Sequence, residues 1–596
     1  MRETHKILSI ISERGKKKKS LQRVYRLLYN PQLYLTAYQN IYANDGAMTK
    51  GINDETVDGM SMKKIYAIIE KLKTETYRWS PARKTHIKKR NGKPRPLGLP
   101  TWSDKLLQEV IYLILDAYYD NQFSNDSHGF RKGRGCKTAL EAIAGKSGWN
   151  GTKWFVEGDV SNCFGSIDHQ ILLDILREKI EDNRFLRLIG YLLKTGYLEN
   201  GWRYNKTLSG CPQGNILSPL LSNLYMNKLD QYVKQELKPQ HTTGKIRVIN
   251  KEYQKMHNQI ATCKQNKNWA KVKEFRKTLQ SMPSKDPLDP DFKRLRFIRY
   301  ADDWLVGIAG SRKDAEEVKD KIALYLQTEL KLQLNQEKTL ITHARTEKAR
   351  FLGYDIHVLH DDAKHTGRRR SINGKVGLRV PKDKMQLKMS RYMANGKPCH
   401  RAEIAFNSDY DIIRQYQTEF RGFVQYYTHA YNAHQMRVVK RTMELSLVKT
   451  LANKHKLSAK KVFKKYQTVA ETRDGVYKVL ETRVERDGKK PLIVQFGGIK
   501  LGYDKNADII DVSKQFFNAR SQLIDRLTHD VCELCEATGD IEMHHIRKLK
   551  DLSRNGRRHK PEWMKRMIAM RRKTLAVCTD CHVKIHSGVY DRVCVH

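Results

Sequence analysis

Two kinds of apolar pattern run along this chain. The first is helical. Leu106, Leu107, Val110, Ile111, Ile114 and Tyr118 share one face of a predicted helix, with Ser103 as its cap and Asp104 in its first turn. Ile167, Ile171 and Ile175, with Leu172 and Leu176, form a second such stripe. Ile413, Tyr416, Phe420, Phe423, Val424 and Tyr427 form a third, which leaves Arg414 and Arg421 off the apolar face. The second pattern is the short apolar run of a buried strand. Trp154-Phe155-Val156 runs into Glu157-Gly158-Asp159, and two further runs, around Phe297-Ile298 and Trp304-Leu305-Val306, flank Tyr300-Ala301-Asp302-Asp303. Residues 231–290 are polar and basic and end in Pro283-Ser284-Lys285-Asp286-Pro287-Leu288-Asp289-Pro290, the pattern of an insertion that is helical, then loop-like. Residues 361–400 read as loop and strand, and residues 471–525 as a basic connector.

Two adjacent carboxylates between two apolar strands repel unless a cation lies between them. An Asp-Asp turn can be only a turn. A second acid at a strand end, Asp159, argues for a site in which folding gathers three carboxylates. Hard divalent cations prefer such oxygen ligands, and two-metal sites of this type carry nucleotidyl transfer.

The acid at the end of the 154–159 strand, followed by Phe164 and a helix, resembles a motif of reverse transcriptases and related right-hand polymerases. The likeness continues in order. Lys93-Pro94-Arg95-Pro96-Leu97-Gly98-Leu99-Pro100 and His128-Gly129-Phe130-Arg131 resemble the fingers motifs. Cys211-Pro212-Gln213-Gly214 with Ser218-Pro219-Leu220 resembles the block near the incoming nucleotide, and Leu334 to Thr339 and Phe351-Leu352-Gly353-Tyr354 resemble the motifs after the acidic hairpin. With the C-terminal residues described below, the chain resembles the group II intron-encoded proteins, reverse transcriptase/maturases of the bacterial LtrA type. The resemblance implies that Asp159, Asp302 and Asp303 hold two magnesium ions, that Lys89, Lys93 and Arg95 contact the triphosphate, and that Gln213 lies near the nucleotide. Phe164 is either a gate against a 2′-hydroxyl or a core aromatic. Lys338 is either the acid for pyrophosphate or a solvated surface lysine.

Charge narrows the partner class. The 596 residues carry 112 Lys and Arg against 65 Asp and Glu, a formal net charge of +47. Counterion release from nucleic acid is the most economical account of such an excess. No long apolar run predicts a membrane span. The patch Ile7 to Ile11 before Lys16, Lys17, Lys18 and Lys19 is too short for a secretory signal. The expected place is therefore the bacterial cytoplasm, at the nucleoid, in preference to an organelle. The oligomeric state stays open, a homodimer included.

Near the C-terminus, Cys532-x-x-Cys535 and Cys578-x-x-Cys581 flank His544-His545 and precede His582 and His586. The two pairs fit one tetrahedral zinc. The histidines exceed what a zinc ribbon needs, and His582 and His586 lie one helical turn apart. The pattern resembles the HNH nucleases. That likeness makes His544, His582 and His586 ligands of one nuclease magnesium and His545 the general base, in a nuclease either active or degenerate. The residue that orients the base stays open among Lys573, Thr574 and Asn555.

The expected fold is multidomain α+β. An N-terminal RNA-binding extension (1–80) precedes right-hand polymerase fingers and palm (81–365, insertion 231–290). An α-helical thumb, or domain X (366–470), a DNA-binding segment (471–525) and a small ββα-metal HNH zinc module (526–596) follow. The resemblance implies RNA-directed DNA polymerase, splicing maturase and DNA endonuclease activities in intron mobility. The partners are the intron RNA, target double-stranded DNA and dNTPs, with RNA contacts at Lys16 to Lys19, Arg414 and Arg421. A non-splicing reverse transcriptase and a maturase with an inactive endonuclease are the alternatives.

Overall fold

The computed structural model describes residues 3–44, 46–88, 92, 94–145, 148–199, 203–205, 209–211, 214–366, 369–370, 372–472, 475–504, 521–552 and 560–591. At its centre is an antiparallel four-stranded sheet, in the order Arg294–Tyr300, Asp303–Ala309, Trp154–Asp159, Ile341–His343. Its strands carry apolar residues on both faces because each face supports a separate core. Val156, Phe297, Trp304 and Val306 point into one core; their neighbours Phe155, Ile298 and Leu305 point into the other. This is the period-2 geometry of a strand sandwiched between layers.

The first core holds the N-terminal helices Thr4–Lys16 and Pro31–Ile41 and the helix Trp102–Tyr119, which is buried around most of its circumference. Thr101, not Ser103, caps this last helix. The Thr101 hydroxyl accepts from the Asp104 amide, and the Ser103 hydroxyl donates to Glu55. The second core holds helices Asp409–Tyr426 and Arg437–His455. Ile413, Tyr416, Phe420 and Val424 are buried there, while Arg414 and Arg421 are exposed.

Two stretches are more ordered than their sequence suggests. Helix Lys382–Ser390 lies within 361–400. The supposed connector begins with an antiparallel sheet, Gln467–Thr472, Gly475–Arg486 and Lys489–Phe496, whose Leu480 and Phe496 join the second core. A boundary at 470/471 therefore cuts a strand, and one at 525/526 cuts the helix Gln522–Thr528. The insertion is a helical hairpin, Lys251–Gln265 and Trp269–Ser281, followed by a loop. Among the described residues no helix is long and apolar enough to cross a membrane.

The C-terminal module is a ββα unit: strands Ile541–His545 and Thr574–Cys578, then helix Thr579–His586. It does not stand apart. The short strand Met60–Ser61 pairs with its edge, Met60 opposite Met543 and Ser61 opposite Glu542. Leu523, Ile524, Leu527, Ile541 and Met543 belong to the same core as the N-terminal helices.

Candidate polymerase and nuclease sites

Strand register gathers the palm acids. Tyr300 pairs with Asp303, closing a two-residue turn of Ala301 and Asp302, and Asp303 in turn pairs with Asp159. Ala301 takes the left-handed conformation at φ +59°, as two-residue hairpin turns demand. Gly129 presses on this turn so closely that a Cβ there would sit 2.4 Å from the Ala301 nitrogen. Arg299 fixes the turn from beneath. Its guanidinium is fully buried, and all five N–H donors are matched: two on Asp230 (2.7 and 2.6 Å), and one each on Asn223, Ser127 and the carbonyl of Ala301.

Burial pushes Asp303 up to about 7, and the charges of Asp302 and Asp159 push in the same direction. Asp302 is also raised, chiefly by burial, with Asp159 adding to the effect and Lys338 and Arg95 opposing it. Lys338 reaches over the opening and lies 2.6 Å from Asp159 Oδ2. Lys338 and Arg95 thus offset only part of the mutual repulsion of three acids, an all-oxygen donor set suited to hard cations. The three carboxylates do not form a group with all ligand atoms within 4.8 Å of one another.

Phe164 is half-buried, not core. Its ring meets that of Phe130 edge-on at 6.3 Å, and its carbonyl accepts from the Cys211 amide. Its chain neighbours Asn162 and Gly165 line a cavity of about 320 Å³ with Gly210, Leu97 and Lys84 among others. Arg95 is exposed on strand Pro94–Leu99. Lys89, Lys93, Gln213 and Asn555 lie outside the described residues.

At the other end of the molecule the sulfurs of Cys532, Cys535, Cys578 and Cys581 all lie within 4.8 Å of one another. The Leu534 amide donates to the Cys532 sulfur at 3.4 Å. Four converging thiols match structural zinc.

The histidines form a second cluster, and an N-terminal acid joins it. His544, His582, His586 and Asp58 each offer a ligand atom within 4.8 Å of the others. Asp58 Oδ1 lies 3.3 Å from His544 Nδ1 and 3.2 Å from His582 Nε2, and Oδ2 lies 2.8 Å from His586 Nε2. His544 is buried with Nδ1 toward Asp58, and among the described residues its Nε2 has no hydrogen-bond partner. Three imidazoles converging on one carboxylate are a donor set that fits a divalent cation. Glu542 Oε2 holds His582 Nδ1 at 2.5 Å, as a carboxylate does when it orients a ligand histidine. Burial alone would lower His582; hydrogen bonds to Asp58 and Glu542 outweigh it and raise the ring to about 9.

His545 has a different setting. Its ring is buried, its Nε2 meets the Tyr38 hydroxyl at 2.8 Å, and its amide donates to Asp58 Oδ1 at 2.7 Å. Burial pushes it down to about 3. Thr574 stands opposite His545 across the strand pair, with its hydroxyl bonded to Arg526. Sequence reasoning missed Asp58 and Glu542. Glu542 was within reach, two residues before His544 on the same strand and so on the same face; Asp58 carried no such signal.

Lys17, Lys18 and Lys19 are exposed beyond the end of helix Thr4–Lys16; Lys16 pairs with Glu13.

Comparison with known proteins shows the family. Residues 87–356 match the reverse transcriptase (RNA-dependent DNA polymerase) family, residues 374–505 the type II intron maturase family and residues 532–582 the AI2M/AI1M-like HNH endonuclease family. The group II intron-encoded protein LtrA of Lactococcus lactis subsp. cremoris is 38% identical over 98% of this chain and 99% of its own length. The putative COX1/OXI3 intron 1 protein of Saccharomyces cerevisiae is 30% identical over 95% of this chain and 69% of its own. The chain therefore belongs to the group II intron-encoded proteins, as a reverse transcriptase and maturase with an HNH endonuclease.

Proposed function

We propose that the chain serves intron mobility by target-primed reverse transcription, with its activities divided among the sites described above. Asp159, Asp302 and Asp303 are the polymerase acids, and the observation that carries this is the pairing of Asp159 with Asp303 beside Asp302. Two magnesium ions bound there would supply Lewis-acid activation of the primer 3′-hydroxyl and charge neutralisation on the triphosphate. Arg95, with Lys89 and Lys93, steers the triphosphate toward the acids, and Gln213 meets the nucleotide. Phe164, half-exposed against the Phe130 ring, fills the space a 2′-hydroxyl would need. Lys338 holds Asp159 until a cation displaces it.

Cys532, Cys535, Cys578 and Cys581 hold a structural zinc. His544, His582 and His586 hold one divalent nuclease metal, and as three imidazoles they fit a transition ion better than magnesium; His545 is the base for second-strand nicking. Lys16 to Lys19 with Arg414 and Arg421 present positive charge to the intron RNA, and the basic excess extends to target DNA at the nucleoid.

Asp302→Asn is expected to lower primer extension on an RNA template by more than about 100-fold, beyond the cost of losing an outer-shell contact. Splicing of the cognate intron at near-physiological magnesium should stay close to wild type, because the catalysis there belongs to the RNA. Near-normal cDNA synthesis by the variant would remove the site assignment; lost splicing in a folded, RNA-binding variant would remove the division of labour.

A further inference from the structure

Both halves of the histidine site are covered by one N-terminal unit. Asp58 puts its carboxylate among the three ligand histidines, and Tyr38 puts its hydroxyl on His545. We propose that Asp58 is a fourth ligand of the nuclease metal, and that with Tyr38 it latches the endonuclease in a closed form until DNA replaces it. The proposal rests on reading His544, His582 and His586 as the metal ligands.

The geometry of ligation supports it. Catalytic sites keep a position open for water or substrate, whereas closed sites with four protein ligands are structural. With Asp58 the cluster offers four ligand atoms within 4.8 Å of one another, the number of a closed site, and a carboxylate is a fair mimic of a phosphate's anionic oxygens. A scissile phosphate and Asp58 would compete for one position. The proposed base is covered as well: its ring is buried and its Nε2 is taken by the Tyr38 hydroxyl, so that nitrogen cannot hold an attacking water.

The contact is built. The Gly59 amide donates to the Met543 carbonyl at 3.1 Å, Met60 and Ser61 extend the module's sheet, and the Trp102 indole N–H points at the Met60 sulfur at 3.4 Å. Gly59 takes φ +71°, and a Cβ there would lie 3.3 Å from His582 Cε1. A turn of this tightness brings the backbone, and with it Asp58, against the histidines. Because Val57 and Met60 are fully buried in the shared core, opening means departure of the C-terminal module from the N-terminal surface, not movement of Asp58 alone.

The test uses the full chain with zinc in the cysteine cluster. Binding of Mn2+ is followed by loss of the free-ion EPR signal, taking the ions bound beyond those of the palm acids, and nicking of duplex DNA is measured at saturating Mn2+. Asp58→Asn is expected to weaken Mn2+ binding at least about tenfold, the loss that even outer-shell changes produce, and to raise the nicking rate. Tyr38→Phe keeps the ring but removes the hydroxyl. It should leave Mn2+ affinity unchanged and raise nicking about fivefold, the equivalent of one hydrogen bond. His544→Ala should abolish nicking and the nuclease-site share of Mn2+ binding, leaving the ions held by the palm acids. If it changes neither, the nuclease-site reading fails. If His544→Ala behaves as expected but nicking falls or is unchanged in both Asp58→Asn and Tyr38→Phe, the latch fails and the site stands. Should Asp58→Asn not fold, as judged by zinc content and cDNA synthesis, the Tyr38→Phe result decides.

Discussion

Arg299 and Glu109 are both charged side chains placed inside the protein, and they solve the problem differently. Arg299 meets every donor, so its charge is neutralised by Asp230 and its hydrogen bonds are complete. Removing part of such a set leaves a buried charge short of partners. Arg299→Lys is expected to destabilise the protein by about 3–5 kcal/mol in thermal melts and to lower primer extension, since Lys cannot hold both Asp230 and the Ala301 carbonyl. Glu109 instead gives up its charge. It is buried with Asn40 Nδ2 at 3.2 Å, and burial pushes it up to about 8. Its ordinary value is 4.5, so its contribution to stability is whole below that value and is lost as pH rises through about 8. Glu109→Gln should therefore match wild type near pH 5 and melt higher near pH 8, by up to a few kcal/mol at about 1.4 kcal/mol per unit. Neither residue was legible in the sequence. Arg299 read as one more position of a strand, and Glu109 as one position of an apolar helix. Each depends on a partner set that only folding assembles.

At the scale of elements, legibility followed how cleanly burial segregates residues. The acidic hairpin, the strand ending at Asp159 and the helix carrying Arg414 and Arg421 were all readable, because their apolar positions are nearly all buried. The sheet Gln467–Thr472, Gly475–Arg486, Lys489–Phe496 was not. Val469, Val476 and Ile493 are exposed while Val479, Leu480 and Phe496 are buried, so the run has neither a clean period of 2 nor a continuous apolar stretch. The cap of helix Trp102–Tyr119 was misread for a simpler reason. Thr101 and Ser103 are both good caps, and Glu55, distant in sequence, takes Ser103. The fingers and palm meet through a contact the motif order announced without explaining. Gly129 sits on the Ala301 backbone. Gly129→Ala places a methyl group against a main-chain nitrogen that cannot turn aside, in a site where small displacements of catalytic groups are costly. The expected result is a drop in primer extension of about 100-fold with the C-terminal zinc retained, read by parallel cDNA and metal assays.

The largest departure from the sequence reading concerns the whole molecule. Cysteine and histidine spacing identified the metal module but gave no sign that it docks, because Asp58 and Tyr38 lie more than 450 residues from their partners, as the 487-residue separation of Asp58 from His545 shows. A module joined by a free linker would unfold alone when its zinc is lost. This one shares a core with helices Pro31–Ile41 and Met62–Lys73 and lends an edge strand to Met60–Ser61. Metal binding does much of the folding of so small a unit, so zinc stabilises the N-terminal surface as well. Cys532→Ser is expected to lose one zinc per chain, and hydrogen exchange should then quicken both in the strands Ile541–His545 and Thr574–Cys578 and in helix Pro31–Ile41. Tyr38, facing water once His545 has left, should become accessible. cDNA synthesis should survive at moderate temperature, because the palm sheet has its own packing on both faces, but its thermal inactivation should come earlier. Exchange that quickens only in the C-terminal strands, with inactivation unchanged, would show that the shared core adds nothing to the stability of the N-terminal helices.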